Sequence, residues 1–182
     1  MKMKVGTLGW MLLLAACSYP PPVTDGFQSD LPKPGTPTIV WGDDLSAVGT
    51  ATTWLQKRGL SVVERSLLIL DFESETMNLG HTLRDEATVL QAAKKRGAAH
   101  VVFVDRGGDY RAPMITVRGV DVESGRVQWS GSARYAAFET RPPKDTLANL
   151  TCEALATAWG LRPSGTKWFL SSYAMCGVAS AK

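Results

Sequence analysis

From Thr38 onward the apolar positions alternate between two rhythms. Thr38 to Trp41 reads as a short strand; after Gly42-Asp43-Asp44, Leu45, Val48, Ala51 and Leu55, with Trp54 beside them, recur at helical spacing to about Arg58. Either aspartate supplies an N-cap, and Gly59 stops the helix. A second strand runs from Leu60 to Val63. The stretch "SLLILDFESETMNL" carries two patterns: its apolar run suits a buried strand, whereas Leu68, Phe72 and Glu75 to Leu79 suit a helix, the reading adopted. Thr82 and Asp85 resemble a capping box that opens a further helix with Leu83, Ala87, Leu90 and Ala93 inward. It ends in Lys94-Lys95-Arg96, which serve either the helix dipole or a binding patch, and the dipole is the simpler account.

Three strands should follow. "HVVFVDR" is nearly continuous in apolar residues and suits a central strand, and "MITVRGVDVESGRVQWSGSARY" reads as a hairpin around Ser124-Gly125. A two-residue turn there pairs Val122 with Val127, Val120 with Trp129 and Met114 with Tyr135, all six on one face. A last helix starts near Asp145, buries Leu147, Leu150, Ala154 and Ala158, and stops at Gly160. Beyond it, the apolar patch from Trp168 to Met175 should pack on the domain. The predicted class is α/β (α+β), a single mixed sheet of about five strands with helices packed on it, in the order β-α-β-α-α-β-β-β-α.

The N-terminal part follows neither rhythm. Lys2 and Lys4 precede an uncharged stretch of twelve residues, Val5 to Ala16, a basic and then an apolar region of the kind found in export signals. That is too short for a membrane-spanning helix, which needs about 20 residues. "LAAC", Leu14 to Cys17, resembles the bacterial lipoprotein lipobox, which implies cleavage between Ala16 and Cys17, diacylglycerol on the Cys17 thiol and further acylation such as palmitate. An ordinary secretory signal with an incidental cysteine is the other reading. Residues 17–37, rich in proline and glycine, read as a tether from the lipidated cysteine. Extended at about 3.1 Å per residue, it would hold the domain some tens of ångströms from the bilayer. The expected organisation is a signal peptide over 1–16, tether over 17–37, periplasmic domain over 38–161 and packed tail over 162–182. Ser18 stands where aspartate would mark a Gram-negative lipoprotein for the inner membrane, so the resemblance implies the periplasmic face of the outer membrane.

Composition narrows the function. The 182-residue chain has 20 basic and 17 acidic residues; without Lys2 and Lys4 the balance is about +1, too small to argue for nucleic acid. Cys152 and Cys176 remain as a candidate disulfide in an oxidising compartment, closing a loop of about 25 residues worth roughly 3 kcal/mol, or as two buried thiols.

The motifs Val62 to Arg65, then Gly97 and Ala98 with Val101 to Val104, then Asp121, Ser124, Gly125 and Trp129 resemble an envelope lipoprotein superfamily. It includes the curli secretion channel lipoprotein and the penicillin-binding-protein activator lipoproteins, whose periplasmic domain is similar to the N-terminal domain of TolB. The resemblance covers roughly Thr38 to Leu161 and departs at Ala99 and His100, where a small residue and an acid are usual. The channel-forming members add amphipathic hairpins, but a spanning strand needs about 9–11 alternating residues and this chain has no spare pair.

No reactive constellation is legible. His81 and His100 have no metal-ligand spacing to another ligand, Asp43-Asp44 fits a helix cap, Glu64-Arg65 fits an ion pair, and "DRGGDY" lacks the lysine and helix of a phosphate loop. The expectation is therefore no enzyme, no cofactor and no metal. The leading function is a lipid-anchored interaction module that binds an envelope protein partner. A homo-oligomer, as a ring subunit of a secretion or appendage export complex, is the second, and a hydrolase with an unrecognised site a distant third.

Overall fold

The computed structural model describes residues 23–63, 65–69, 85–135 and 146–161. Its strands are β1 (Val23–Gln28), β2 (Pro37–Trp41), β3 (Ser61–Val63), β4 (His100–Gly107), β5 (Met114–Asp121) and β6 (Val127–Arg134). Its helices are α1 (Leu45–Lys57), α2 over residues 65–69, α3 (Glu86–Lys95) and α4 (Thr146–Ala158). One mixed sheet has the order β1-β6-β5-β4-β2-β3, parallel at β2–β3 and β2–β4 and antiparallel elsewhere.

The α+β class and mixed sheet agree with expectation, but the sheet has six strands, not five. The extra one is β1, which lies inside the segment expected to be tether and pairs with β6 from Val23–Arg134 to Gln28–Trp129. "VTDGFQ" contains no proline, and its alternate residues Val23, Asp25 and Phe27 share one face.

Two crossovers explain the layers. The β2–α1–β3 unit steps outward, and the return to β4 passes β2 by way of α2 and α3. Crossovers of one hand that step in opposite directions lie on opposite faces of a sheet. The front face therefore packs α1 and α4 over Val40, Val102, Val104, Ile115, Val117 and Trp129. On the back face, α2 and α3 cover Ile39, Trp41, Val101, Phe103 and Val120.

Asp44 caps α1: its carboxylate accepts from the Ser46 amide at 3.1 Å and the Ala47 amide at 3.0 Å. The buried stripe is Ala47, Val48, Ala51, Trp54 and Leu55; Leu45, expected inward, is 73% exposed at the first turn. Asp85 caps α3, which buries Val89, Ala92 and Ala93 while Ala87 faces solvent. Ala93 and, partly, Leu90 face the core as expected, Ala87 does not, and Val89 and Ala92 join the stripe; Thr82 and Leu83 lie outside the described residues.

The hairpin register also differs. Asp121 holds a longer turn: its carboxylate accepts from the Ser124 amide at 2.8 Å and hydroxyl at 2.6 Å, and its carbonyl accepts from the Gly125 amide, with Gly125 at φ 66°. Trp129 consequently faces Gly119, and a register shift at Gly119/Val120 puts Val120 opposite Val127. The six residues expected on one face divide. Trp129 and Tyr135 lie in the front core, Val120 and Val122 in the back core, Val127 is exposed, and Met114 is half-buried and pairs with Arg134, not Tyr135. A one-residue slip is enough to move a side chain to the other face.

Glycines let the layers approach. A Cβ at Gly119 would fall inside the indole of Trp129, and one at Gly131 would fall on the carbonyl of Ala154. The register partner of Gly131, Gly26, lies under Thr157, whose Cγ2 would be 2.9 Å from an added Cβ. Trp129 then packs edge-on against Trp159 at 6.1 Å between ring centroids, and Trp159 against Trp54 at 5.2 Å, joining β6, the end of α4 and α1. Gly119→Ala is expected to destabilise the fold by about 1–3 kcal/mol through overpacking. Gly49→Ala, in the interior of α1 with open space around the site, should stabilise it by about 0.5–1 kcal/mol. Urea denaturation of both variants checks the pair, and equal midpoints would contradict the packing described.

Candidate interaction surface

Strand register places one row of side chains across the back face. Phe27, Ser130, Arg118, Phe103 and Trp41 are successive partners from β1 to β2. Arg118 divides the row. Its guanidinium donates to Glu86 of α3 through Nη2 at 2.7 Å and Nη1 at 3.3 Å, and to Asp105 through Nη2 at 2.9 Å. It also lies 5.5 Å from the ring centre of Phe103. The bond to Glu86, helped by Asp105, raises the Arg118 pKa further above its usual value. Both carboxylates are about half exposed, so each pair contributes under about 1 kcal/mol. Their effect is geometric: they pin the first turn of α3 to the sheet.

On one side of Arg118 lies the closed back core, with Arg65 stacked 4.9 Å from the ring centre of Trp41. On the other side no described helix covers the sheet face. Thr116, Ser130 and Ser132 are half-buried, Asp25 and Arg134 are exposed, and Phe27 and Val23 are 53% and 38% exposed. The exposed phenylalanine and the arginine are residue types that interfaces favour, and the hydroxyls around them keep the rest of the surface wettable.

The other sequence-singled residues fall elsewhere. His100 is buried at the opposite end of the sheet, opposite Asp121. Burial lowers its pKa, against the pull of Asp121, Gln128 and Asp30, and its Nε2 has no hydrogen-bond partner. Asp44 is the α1 cap and lies 3.6 Å from Arg106, while Asp43 makes no such cap. Lys94 of the basic triplet pairs with Glu123 at 2.8 Å, and Arg96 donates to the Leu67 carbonyl at 3.3 Å, so the triplet is tied to its own fold. In "DRGGDY", Asp109 accepts from the Arg111 and Ala112 amides, which hold its pKa below the usual carboxylate range and use the loop's donors internally. Cys152 is fully buried in α4. Ala16, Cys17, Glu64, His81, Cys176 and the patch from Trp168 to Met175 lie outside the described residues. Among the described residues, no group of three or more His, Cys, Asp and Glu is placed to hold a metal ion, and no helix is long and apolar enough to cross a membrane. Phe27 and Arg118 were not singled out in the sequence. The alternation Val23, Asp25, Phe27 was the available signal for the first, and the prolines on both sides of it hid it.

No family model matches the chain, and none of the curated proteins matches it. Solved structures similar to it include the LpoB C-terminal domain from Salmonella enterica, at 19% identity over 58% of this chain and 86% of that one, with a TM-score of 0.49. A PelC dodecamer from Paraburkholderia phytofirmans is similar at 13% identity, over 74% of this chain and 95% of that one, with a TM-score of 0.48. Lipoprotein GNA1162 from Neisseria meningitidis is similar at 18% identity, over 73% of this chain and all of that one (100%), with a TM-score of 0.47. No residue role is carried from them into this chain.

His100 sets a pH dependence. The unfolded chain takes up a proton near pH 6.5 that the buried imidazole takes up only at lower pH. The contribution is thus complete above about pH 6.5 and is lost as pH falls toward the depressed folded value, with a slope of at most about 1.4 kcal/mol per pH unit. Thermal melts between pH 7.5 and 5.5 should show a falling midpoint that His100→Gln flattens; parallel curves for the two proteins would remove His100 as the cause.

Proposed function

We propose that this protein is a lipoprotein of the outer membrane, anchored through Cys17 on the periplasmic face, whose folded domain is a non-enzymatic module that binds an envelope protein. The part of the back face that no described helix covers carries the reading: it is half-polar, with Phe27 exposed beside Ser130 and Val23 beside Arg134. The export-signal pattern and the lipobox resemblance support the anchor.

The partner is expected on the face, not on the sheet edge. The Ser29 amide donates to the Gln128 carbonyl, so the odd-numbered residues of β1 point their backbone groups at β6, and Gly26 points its own outward. That outward amide is already taken by the Asp25 carboxylate at 2.9 Å. A short edge strand of six residues whose middle amide is taken by a carboxylate is a poor template for strand addition, whether by a partner or by a second copy.

A photo-crosslinking residue at position 27 should capture one envelope protein in intact cells, and the same residue at position 53, exposed on α1 over the opposite face of the sheet, should not. Capture of the same chain at 27 would instead favour the oligomer. Equal, diffuse crosslinking at both positions would discard the interaction face. Mass analysis of the isolated protein should find diacylglycerol on Cys17 and, in a non-reduced digest, a Cys152–Cys176 peptide pair; an unmodified Cys17 removes the anchor.

A further inference from the structure

Strand register fixes which end of the sheet the chain enters. Val23, the first residue of β1, pairs with Arg134, Arg134 with Met114, and Met114 with Gly107. The turn between β4 and β5, residues 108–113, therefore sits at the same end as the start of β1. Because β2 runs parallel to β4, the exit from β2 and the first turn of α1 are at that end too.

Chain length then limits the distance to an anchor. Six residue steps separate Cys17 from Val23, and an extended chain gains at most about 3.3–3.6 Å per step, roughly 20 Å in all. The far end of the sheet is seven residue steps away along the eight residues of β4, about 23 Å further. A tether that ended at Pro37 would have left the domain's orientation open; one that ends at Val23 does not.

The near end is also where exposed apolar side chains gather. Tyr110 at the turn is 61% exposed, Leu45 at the start of α1 is 73% exposed, and Val23 is 38% exposed. Arg111 braces Tyr110, with its Nε donating to the phenolic oxygen at 2.6 Å and its guanidinium 5.3 Å from the ring centre. The acidic groups nearby are Asp25, Asp43, Asp44, Asp105 and Asp109, of which Asp25 is turned to the Gly26 amide. Asp109 is turned to the amides of its own turn, Asp44 to the α1 amides and Arg106, and Asp105 to Arg118. Asp43 remains, against Arg111 and Arg134. Such an end offers a tyrosine, aliphatic side chains and guanidinium groups without a large net charge, which suits the polar–apolar boundary of a phospholipid layer.

We propose that this end of the domain, centred on Tyr110 and Arg111, rests on the phospholipid surface, with the phenol at headgroup depth and the guanidinium on lipid phosphate. The inference rests on the anchored reading above. It orients the domain with its strands rising from the membrane and leaves the part of the back face that no described helix covers facing sideways.

The test uses hydrogen exchange on the chain from Cys17 onward, attached through Cys17 to vesicles of phosphatidylethanolamine and phosphatidylglycerol by a maleimide lipid. The anchor is supplied chemically, so the outcome does not depend on whether cells acylate Cys17, which mass analysis decides separately. Amides of residues 108–112 should exchange at least threefold more slowly on vesicles than in solution, while the turn at 122–126 at the far end stays unchanged. The double change Tyr110→Ser and Arg111→Ser should abolish that slowing with the anchor intact. Unchanged exchange at 108–112, or slowing at 122–126 instead, overturns the proposal.

Discussion

A missing side chain at Gly119 admits the indole of Trp129, and much of the front of the molecule follows from that contact. The indole is fully buried. Aromatic side chains bury about 150–250 Å² each, worth roughly 4–6 kcal/mol at about 25 cal/mol per Å². Because it leans over β5 and not straight up from β6, the helix layer can descend onto Gly131 and Gly26, where Ala154, Thr157 and Ala158 meet bare backbone. Trp159 closes the gap between α4 and α1. The buried indole nitrogens of Trp129 and Trp159 have no hydrogen-bond partners, a cost of about 1–3 kcal/mol each that the packing must exceed.

The two faces of the sheet solve different problems. On the front, small residues bring a helix close. On the back, Arg118 marks where coverage stops: α3 is fastened there by Glu86, and beyond it the strands carry Thr116, Ser130 and Ser132. Burying those hydroxyls under a helix without partners would cost energy, whereas water satisfies them freely. These side chains therefore disfavour an apolar helix on that side.

Local signals in the sequence were legible and pairings were not. The aspartate cap of α1, its stop at Gly59, the continuous apolar strand β4, and the breaks at Gly97 and Gly160 all depend on neighbours within four residues. The hairpin register depended instead on Asp121, whose carboxylate and carbonyl lengthen the turn and slip Trp129 from Val120 to Gly119. The expected alignment gave all six residues a shared face, yet that consistency carried no knowledge of what volume each position could hold. Strand β1 was missed for a related reason. Six residues flanked by prolines have little local preference, and what makes them a strand is β6, a hundred residues away. The interaction surface shared that fate, since Phe27 gains its neighbours only through that pairing.

Placing β1 in the sheet changes the mechanical picture as much as the topological one. A strand paired along six residues cannot act as slack, so under the proposed anchor at Cys17 only six residue steps would separate lipid from domain. With little slack, the domain has few orientations to lose when a partner engages it, and the entropic cost of ordering it falls accordingly. With that anchor the same shortness would limit reach: a partner would have to lie within a domain's width of the bilayer. A polar face with one aromatic anchor, held at fixed height, suits recognition of another membrane-associated protein better than capture of a soluble one.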